Sequence, residues 1–513
     1  MPLRRRKFGT EKEFHTRTEA VQGKQSVWQN RWRFKDWGRR EIVARFDGGA
    51  ITSDAGGLLL REVEARSGII ARFARGFVDH RNPELIEHTV EELIRQRVYG
   101  LCLGYEDLHD HDDLRHDPLL AVLVGKSDLT GQSRGGRDWG KPLAGKSTLN
   151  RLELTRVGAD ADSRYQKIVA RHGELEQSFV EIFLEQHAPP PREIVLDLDA
   201  TDDPVPGHQL GRFFQGYYRE YCFLPLYIFC GHYPLCAKLR PADIDASAGS
   251  LKQVRRLVAR IRQAWPDVVI TLRAGSGFCR ENRMAWCEAN NVRDLFGMAH
   301  NKRLLKIIGR QQHEAQLAFE QSGQASRVFA DFTYRTQKSW STERRVVGKA
   351  EHLAKGPNPR FVVTNIPSNE RAAQELYEQD YCARGEMENC IKEQQLCLFA
   401  DRTSCRTLRA NHLRLWFSTL ACTLLHVLRE RGLKGAKLAT ARCDTIRTKL
   451  LKIGAAVTVT VRKIWVQLAS ACPYHDVFAR ACQNLREWAA TTVPPTTPPS
   501  VSETTTLLLV ESG

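Results

Sequence analysis

An apolar run that ends in acids is the most chemically suggestive stretch of this chain. In Glu193-Ile-Val-Leu-Asp-Leu-Asp-Ala-Thr-Asp-Asp203, four aspartates, Asp197, Asp199, Asp202 and Asp203, follow or interrupt Ile194, Val195, Leu196 and Leu198. An ionised carboxylate is costly in an apolar strand unless it is paired or bound to a cation. The pattern therefore suits a sheet that presents a metal-binding acid at its end. The same acids also suit a turn, closed by Pro204 and Gly207. Two other stretches invite chemistry. His109-Asp-His-Asp-Asp-Leu-Arg-His-Asp117 holds three imidazoles and four carboxylates, but no Cys/His frame at ligand spacing surrounds them, and a solvated loop before the Pro118 helix is the simpler reading. Gly140-Lys-Pro-Leu-Ala-Gly-Lys-Ser147 matches the phosphate-cradling pattern letter for letter. That motif works only when a buried strand delivers it, and Ser133-Arg-Gly-Gly-Arg-Asp-Trp139 is not one, so no nucleotide triphosphate partner is expected.

The elements that must position these residues follow from periodicity. Glu193–Leu198 reads as a buried strand. Gly216–Cys230 and Leu235–Arg240 read as two more, with a hairpin turn at 231–234. Ser250–Trp265 is an amphipathic helix, Val268–Arg273 a buried strand ending in Ala-Gly-Ser-Gly-Phe278, and Asn282–Asn290 a helix. Val328–Tyr334, Arg345–Glu351 and Arg360–Ile366 are β-rich, and Glu370–Cys397 and Leu408–Gly432 helical. Before the acidic strand, Leu58–Glu64 and Glu84–Leu103 carry helical spacing. From Thr491 the chain is rich in Thr, Pro and Ser, a composition that does not build a core.

The 513 residues suggest two to four domains or one core with large insertions. A net charge of +16 and a pI of about 9.3 fit a polyanionic partner. The basic start and the Trp-rich segment concentrate this charge: Arg4, Arg5, Arg6 and Lys7, then Arg31, Arg33, Lys35, Arg39 and Arg40 among tryptophans, which suits phosphates and stacked bases. Arg255-Arg256 and the cations of 442–452 add to it. No apolar run reaches the roughly 18 residues that span a bilayer, so no membrane partner is expected. No apolar segment follows the basic Met1–Lys7, which argues against a secretory signal. The 14 cysteines then read as reduced thiols, Cys222, Cys230 and Cys236 among them, in a cytosolic protein.

The order strand–acid, hairpin strands, helix, strand, β-rich insertion and acidic helix is that of an interrupted ribonuclease-H-like core. Residues 46 to about 485 resemble the DDE group 1 transposases of the insertion-sequence-1380 type. The resemblance rests on Phe46-Asp-Gly-Gly-Ala-Ile-Thr-Ser-Asp-Ala-Gly-Gly57, Leu196–Asp203, Gly211-Arg-Phe-Phe-Gln-Gly-Tyr-Tyr218, Arg273–Phe278 and Tyr381-Cys-Ala-Arg-Gly-Glu-Met-Glu-Asn389. It implies three metal-binding carboxylates. The first falls on Asp199, with Asp197 and Asp202 as lesser candidates. The third, the Glu of a Y-x-x-R-x-x-x-E helix signature, falls on Glu388, with Tyr381 two turns and Arg384 one turn before it on one face. The signature's downstream Lys would fall on Gln395, though Lys392 lies one turn from Glu388. The second acid is absent: where the family has Arg-Ala-Asp-Ser-Gly-Phe, this chain has Gly275.

The resemblance further implies a Mg2+-dependent transposase, with Mn2+ as substitute, that cuts and joins double-stranded DNA at terminal inverted repeats and target DNA, as a homodimer in the prokaryotic cytoplasm near the nucleoid. Asp199 and Glu388 would be the remaining metal ligands, and Gly275 is expected to impair catalysis, because positioned charge carries most of phosphoryl transfer. The alternative is a non-catalytic element-end binding protein or repressor. The expected fold class is α/β, a ribonuclease-H-like mixed-sheet core behind a mainly helical N-terminal region. The expected organisation is a basic arm (1–46), a helical DNA-binding or dimerisation region (47–190), the first part of the core (191–300), a β-rich insertion (301–370), the last catalytic helix with C-terminal helices (371–490), and a disordered tail (491–513).

Overall fold

The computed structural model describes residues 31–205 and 207–488. Arg4, Arg5, Arg6 and Lys7, and the tail from Thr491, lie outside the described residues. The described part of the arm is a hairpin, β1 (Trp32–Trp37) and β2 (Arg40–Ala44), turning at Gly38 with φ 63°. Trp32 and Phe34 alternate with Arg33 and Lys35, the two-residue period of a strand, and every residue of the hairpin is exposed.

Helices follow: α1 (Leu58–Ser67), α2 (Val90–Leu103) and α3 (His172–Gln186). Thr89 starts α2 through a capping box with Glu92, which satisfies two otherwise orphaned N–H groups. Gly56, inside the Phe46–Gly57 motif, lies so close to the C-terminal part of the chain that a Cβ there would meet the Leu450 carbonyl. That glycine is a packing contact between distant segments.

The central sheet takes β3 (Glu193–Ala200), β4 (Leu226–Cys230), β5 (Tyr233–Lys238), β6 (Val269–Ala274), β7 (Arg293–Met298), β8 (Ser326–Tyr334), β9 (Arg344–Leu353) and β10 (Arg360–Thr364) in the order β5-β4-β3-β6-β7-β10-β9-β8. Helix α4 (Ser250–Ala264) connects β5 to β6, and α5 (Glu281–Ala289) connects β6 to β7. β4 is antiparallel to β3 and β5, whereas β6 is parallel to both β3 and β7. Counted from β3, these five strands stand 3-2-1-4-5, the arrangement of a ribonuclease-H-like core. The β-rich stretch extends this sheet through β10, which is antiparallel to β7 and β9. Two helices, Lys302–Ile307 and Gly309–Ser322, precede it.

Residues 216–230 differ from the single strand their composition suggests. Glu220–Phe223 pairs with Phe213–Gln215 and Asp203–Pro204 in a separate three-stranded sheet, and β4 begins only after Pro225. Proline has no N–H to offer a ladder, so the run splits there.

Helix α6 (Gly385–Leu398) follows irregular helical turns over 373–384, and α7 (Leu408–Val427) is buried along nearly its whole length. Its apolarity is that of a helix enclosed by protein: it packs on α2, α6 and β5, and Trp416 donates to the Ala237 carbonyl at 2.8 Å. No helix among the described residues is long and apolar enough to cross a membrane. The chain then forms a second hairpin, β11 (Ala455–Val459) and β12 (Ile464–Leu468), paired to Ile51–Thr52, and α8 (His475–Glu487). The cysteines are all free thiols.

Candidate active site

Strand register assembles the site. The parallel pairing of β3 and β6 sets Asp197 opposite Arg273 and Leu198 opposite Ala274. Gly275 and Asp199 each follow the last of these paired residues and line the same cavity. The position where the resemblance calls for a second acid thus shares a cavity with the first. Glu388 comes from α6, and Arg384, one turn earlier, joins the two. Its Nη1 donates to Asp199 Oδ2 at 3.3 Å and its Nη2 to Glu388 Oε1.

Burial pushes the Asp199 carboxyl up, while Arg384 and the Ala200 N–H pull it down. Burial also works against the charge on Arg384, but Asp199 and Glu388 outweigh it, and its pKa is raised. One guanidinium is thus held between the side chains of two acids. A Cβ added at Gly275 would lie 3.6 Å from Arg384 Nη1 and 3.8 Å from its Cζ, ordinary van der Waals distances. Gly275 has φ −71° and ψ 175°, extended backbone open to any residue. Nothing local requires glycine there.

Asp197 sits two residues from Asp199 on the same strand face, but its chemistry is spent. Its two oxygens accept from Arg273 Nε and Nη2 at 2.6 and 2.7 Å, and both residues are buried. Arg273 Nη1 also donates to the Asp380 carbonyl, and Arg371 grips the Asp380 carboxylate at 2.8 and 2.9 Å. The pair is a clamp between the Asp199 strand and the segment just before Tyr381. Tyr381 lies across β7: a Cβ at Gly297 would stand 2.3 Å from its hydroxyl oxygen.

Asp199, Gly275, Tyr381, Arg384, Glu388, Lys392 and Gln395 line one cavity of about 930 Å3, together with Arg360 and His300. Gln395 Nε2 donates to the Asp202 carbonyl at 3.1 Å, and the Asp202 carboxylate raises the pKa of Glu220. Asp203 is buried, and burial and then Asp401 push it well above the usual range. Sequence reasoning did not single out Tyr218, which donates to the Ala200 carbonyl at 3.1 Å, or Arg360. The Gly211–Tyr218 motif was the available signal for Tyr218.

Of the basic residues, Arg31, Arg33, Lys35, Arg39 and Arg40 lie on or beside the exposed hairpin. Others are consumed inside the fold. Arg447 donates to the Leu101 and Cys102 carbonyls at the end of α2, Lys452 pairs with Asp54 at 2.6 Å, and Arg256 bonds to Glu176 and Gln177. Lys146, the lysine of the phosphate-loop pattern, pairs with Asp112 at 3.3 Å. The same carboxylate accepts the Lys146 backbone N–H at the helix start, where a phosphate would sit, and a 3-10 turn precedes the loop in place of a strand. His111 of the His/Asp stretch is buried against Gln96.

A ribonuclease-H-like sheet with an acid at the end of its first strand and a glutamate on a later helix defines a polynucleotidyl-transferase type of core. The chain belongs to the family described as transposase DDE domain group 1, which it matches over residues 34–490. No curated protein matches it. Among solved structures it is similar to the piggyBac transposase synaptic complex with hairpin DNA, with 11% identity and a TM-score of 0.37 over 78% of this chain and 80% of that one.

The family generally uses divalent metal ions, and the donor set here does not fit a two-ion site. Asp199 and Glu388 share one guanidinium, and position 275 offers no ligand. Among the described residues no group of three His, Cys, Asp or Glu stands close enough to hold a metal. Two carboxylates fall short of the oxygen donors and charge that a pair of Mg2+ ions demands.

Proposed function

We propose that this chain is a transposase of the insertion-sequence-1380 type that binds the inverted repeats of its own element as a homodimer, and that Gly275 impairs its Mg2+-dependent cleavage and strand transfer. The observation that carries this reading is that Asp199 and Gly275, each one residue past the last pair between their two strands, line one cavity in which Arg384 bridges Asp199 and Glu388. Tyr381, Arg384 and Lys392 act around these acids, and Lys392 stands in for the lysine that Gln395 replaces. Exposed Arg33, Lys35, Arg39 and Arg40 support DNA contact by the hairpin. The segments 47–190, 191–300, 301–370 and 371–490 serve as DNA-binding or dimerisation region, core, insertion and final helices. The work is done in the prokaryotic cytoplasm, at the nucleoid.

The test is a cleavage and strand-transfer assay on labelled element-end DNA with Mg2+, run on this chain and on Gly275→Asp. Cutting by Gly275→Asp alone supports the assignment. Equal cutting by both overturns it, because another residue would then supply the second ligand. The alternative, a non-catalytic end-binding repressor, is favoured by the Arg384 guanidinium, which occupies an oxygen of both Asp199 and Glu388. It predicts end-specific binding and no product from this chain in Mg2+ or Mn2+.

A further inference from the structure

The C-terminal hairpin β11–β12 changes character along its length. Its pairing puts Ala455, Val457, Val459, Ile464, Val466 and Leu468 on one face. At the base Ala455 and Val457 are buried, whereas towards the tip Val459 and Ile464 are exposed. The apolar face therefore runs on past the body that covers it. At the tip Val461 is 105% exposed, and on the other face Trp465 is 53% exposed.

The tip is well formed. Thr460 N donates to the Lys463 carbonyl at 2.9 Å, and Lys463 N donates to Thr460 Oγ1 at 3.1 Å, so only Val461 and Arg462 make the turn. Lys463 Nζ stands 5.4 Å from the centre of the Trp465 ring. Pairing of Ala455 and Ala456 with Thr52 and Ile51 anchors the base. An apolar tip on a rigid two-stranded support, flanked by two cations, has the build of a side chain pushed between base steps. Charge decides the partner: Arg462 and Lys463 at the turn are exposed, and the hairpin, residues 455–468, carries no Asp or Glu.

We propose that β11–β12 is a DNA-distorting wedge, in which Val461 enters the duplex between base pairs while Arg462 and Lys463 hold the flanking phosphates. This rests on the DNA-transposase reading. It adds a second contact, remote in sequence from the N-terminal hairpin, that bends or opens the duplex independently of any cleavage.

The experiment uses the full chain and a short duplex labelled at both ends for energy transfer, with permanganate reactivity of thymines reporting unstacking. The parent is expected to bend the duplex and expose thymines. Val461→Ser should bind about tenfold more weakly, the equivalent of one valine left unburied, and lose both signals. Arg462→Gln with Lys463→Gln should flatten the dependence of log affinity on log salt by about 2. All these positions are exposed, and unchanged circular dichroism melting confirms folding. Variants that bend and bind as the parent does remove the wedge alone. So does a result in which the variants alter only the sedimentation of the DNA-free protein, which makes the hairpin a protein–protein contact. A parent that binds no duplex overturns the transposase reading itself.

Discussion

Removing one partner of the Asp197–Arg273 clamp should be among the most destabilising changes in the core. Asp197 is 4% exposed and Arg273 7%, and the guanidinium meets both carboxylate oxygens at 2.6 and 2.7 Å. This is the buried regime, where stranding one charge costs about 3–5 kcal/mol, and not the surface regime of about 0–1 kcal/mol. Asp197→Leu and Arg273→Met should each cost about that much, while the two together should cost far less than their sum, because no charge is left buried. The resulting coupling should be at least about 3 kcal/mol. Urea unfolding followed by tryptophan fluorescence measures all four proteins. Arg273 also donates to the Asp380 carbonyl, so amides of 376–388 should exchange faster in both Arg273 variants even where stability recovers. Single variants costing below about 1 kcal/mol would refute the reasoning, since the pair would then behave as a solvated one.

Gly297→Ala should cost about 1–3 kcal/mol by overpacking against Tyr381, and Tyr381→Phe in the same chain should return part of it, measured by the same unfolding assay. Asp294 is fully buried, and burial raises its pKa to about 8, against the pull of an Asn365 N–H. A folded-state pKa above the unfolded 3.8 gives stability that is complete below that value and lost as pH rises through about 8. Asp294→Asn should flatten this slope, on the order of 5 kcal/mol across the window, in unfolding free energies taken from pH 4 to 9. Arg33→Gln with Lys35→Gln should lower the salt slope of duplex binding by about 2 in a fluorescence titration, and an unchanged slope would take the N-terminal hairpin off the DNA.

The core strands were legible because each is a short apolar or β-branched run, and Asp199 could be placed at the end of one of them. What distinguishes Asp199 from Asp197 was not legible. Both lie on one strand face, and only the pairing with β6 gives Asp197 an arginine, whereas Asp199 lies one residue past the end of that pairing. Arg447 and Lys452 read as DNA-facing by charge, yet they cap a helix and pair with Asp54, because charge in a sequence carries no information about direction. The N-terminal hairpin had the two-residue period of a strand, but its cations and tryptophans drew the reading towards a basic arm to which no strand was assigned. The helices at 302–322 went unseen, since Gly309–Ser322 buries only Ala315 and so has little apolar stripe to show.

Gly275 bears on how such a site changes over generations. Glycine and aspartate codons ending in a pyrimidine differ by a single transition. The backbone at 275 is extended, and a Cβ there meets only the flexible end of Arg384, so the fold holds neither residue in place. Arg384 already bridges the two acids that remain, whichever residue stands at 275. A population carrying this sequence could therefore pass between the two forms by one base change, with the scaffold indifferent to which it holds.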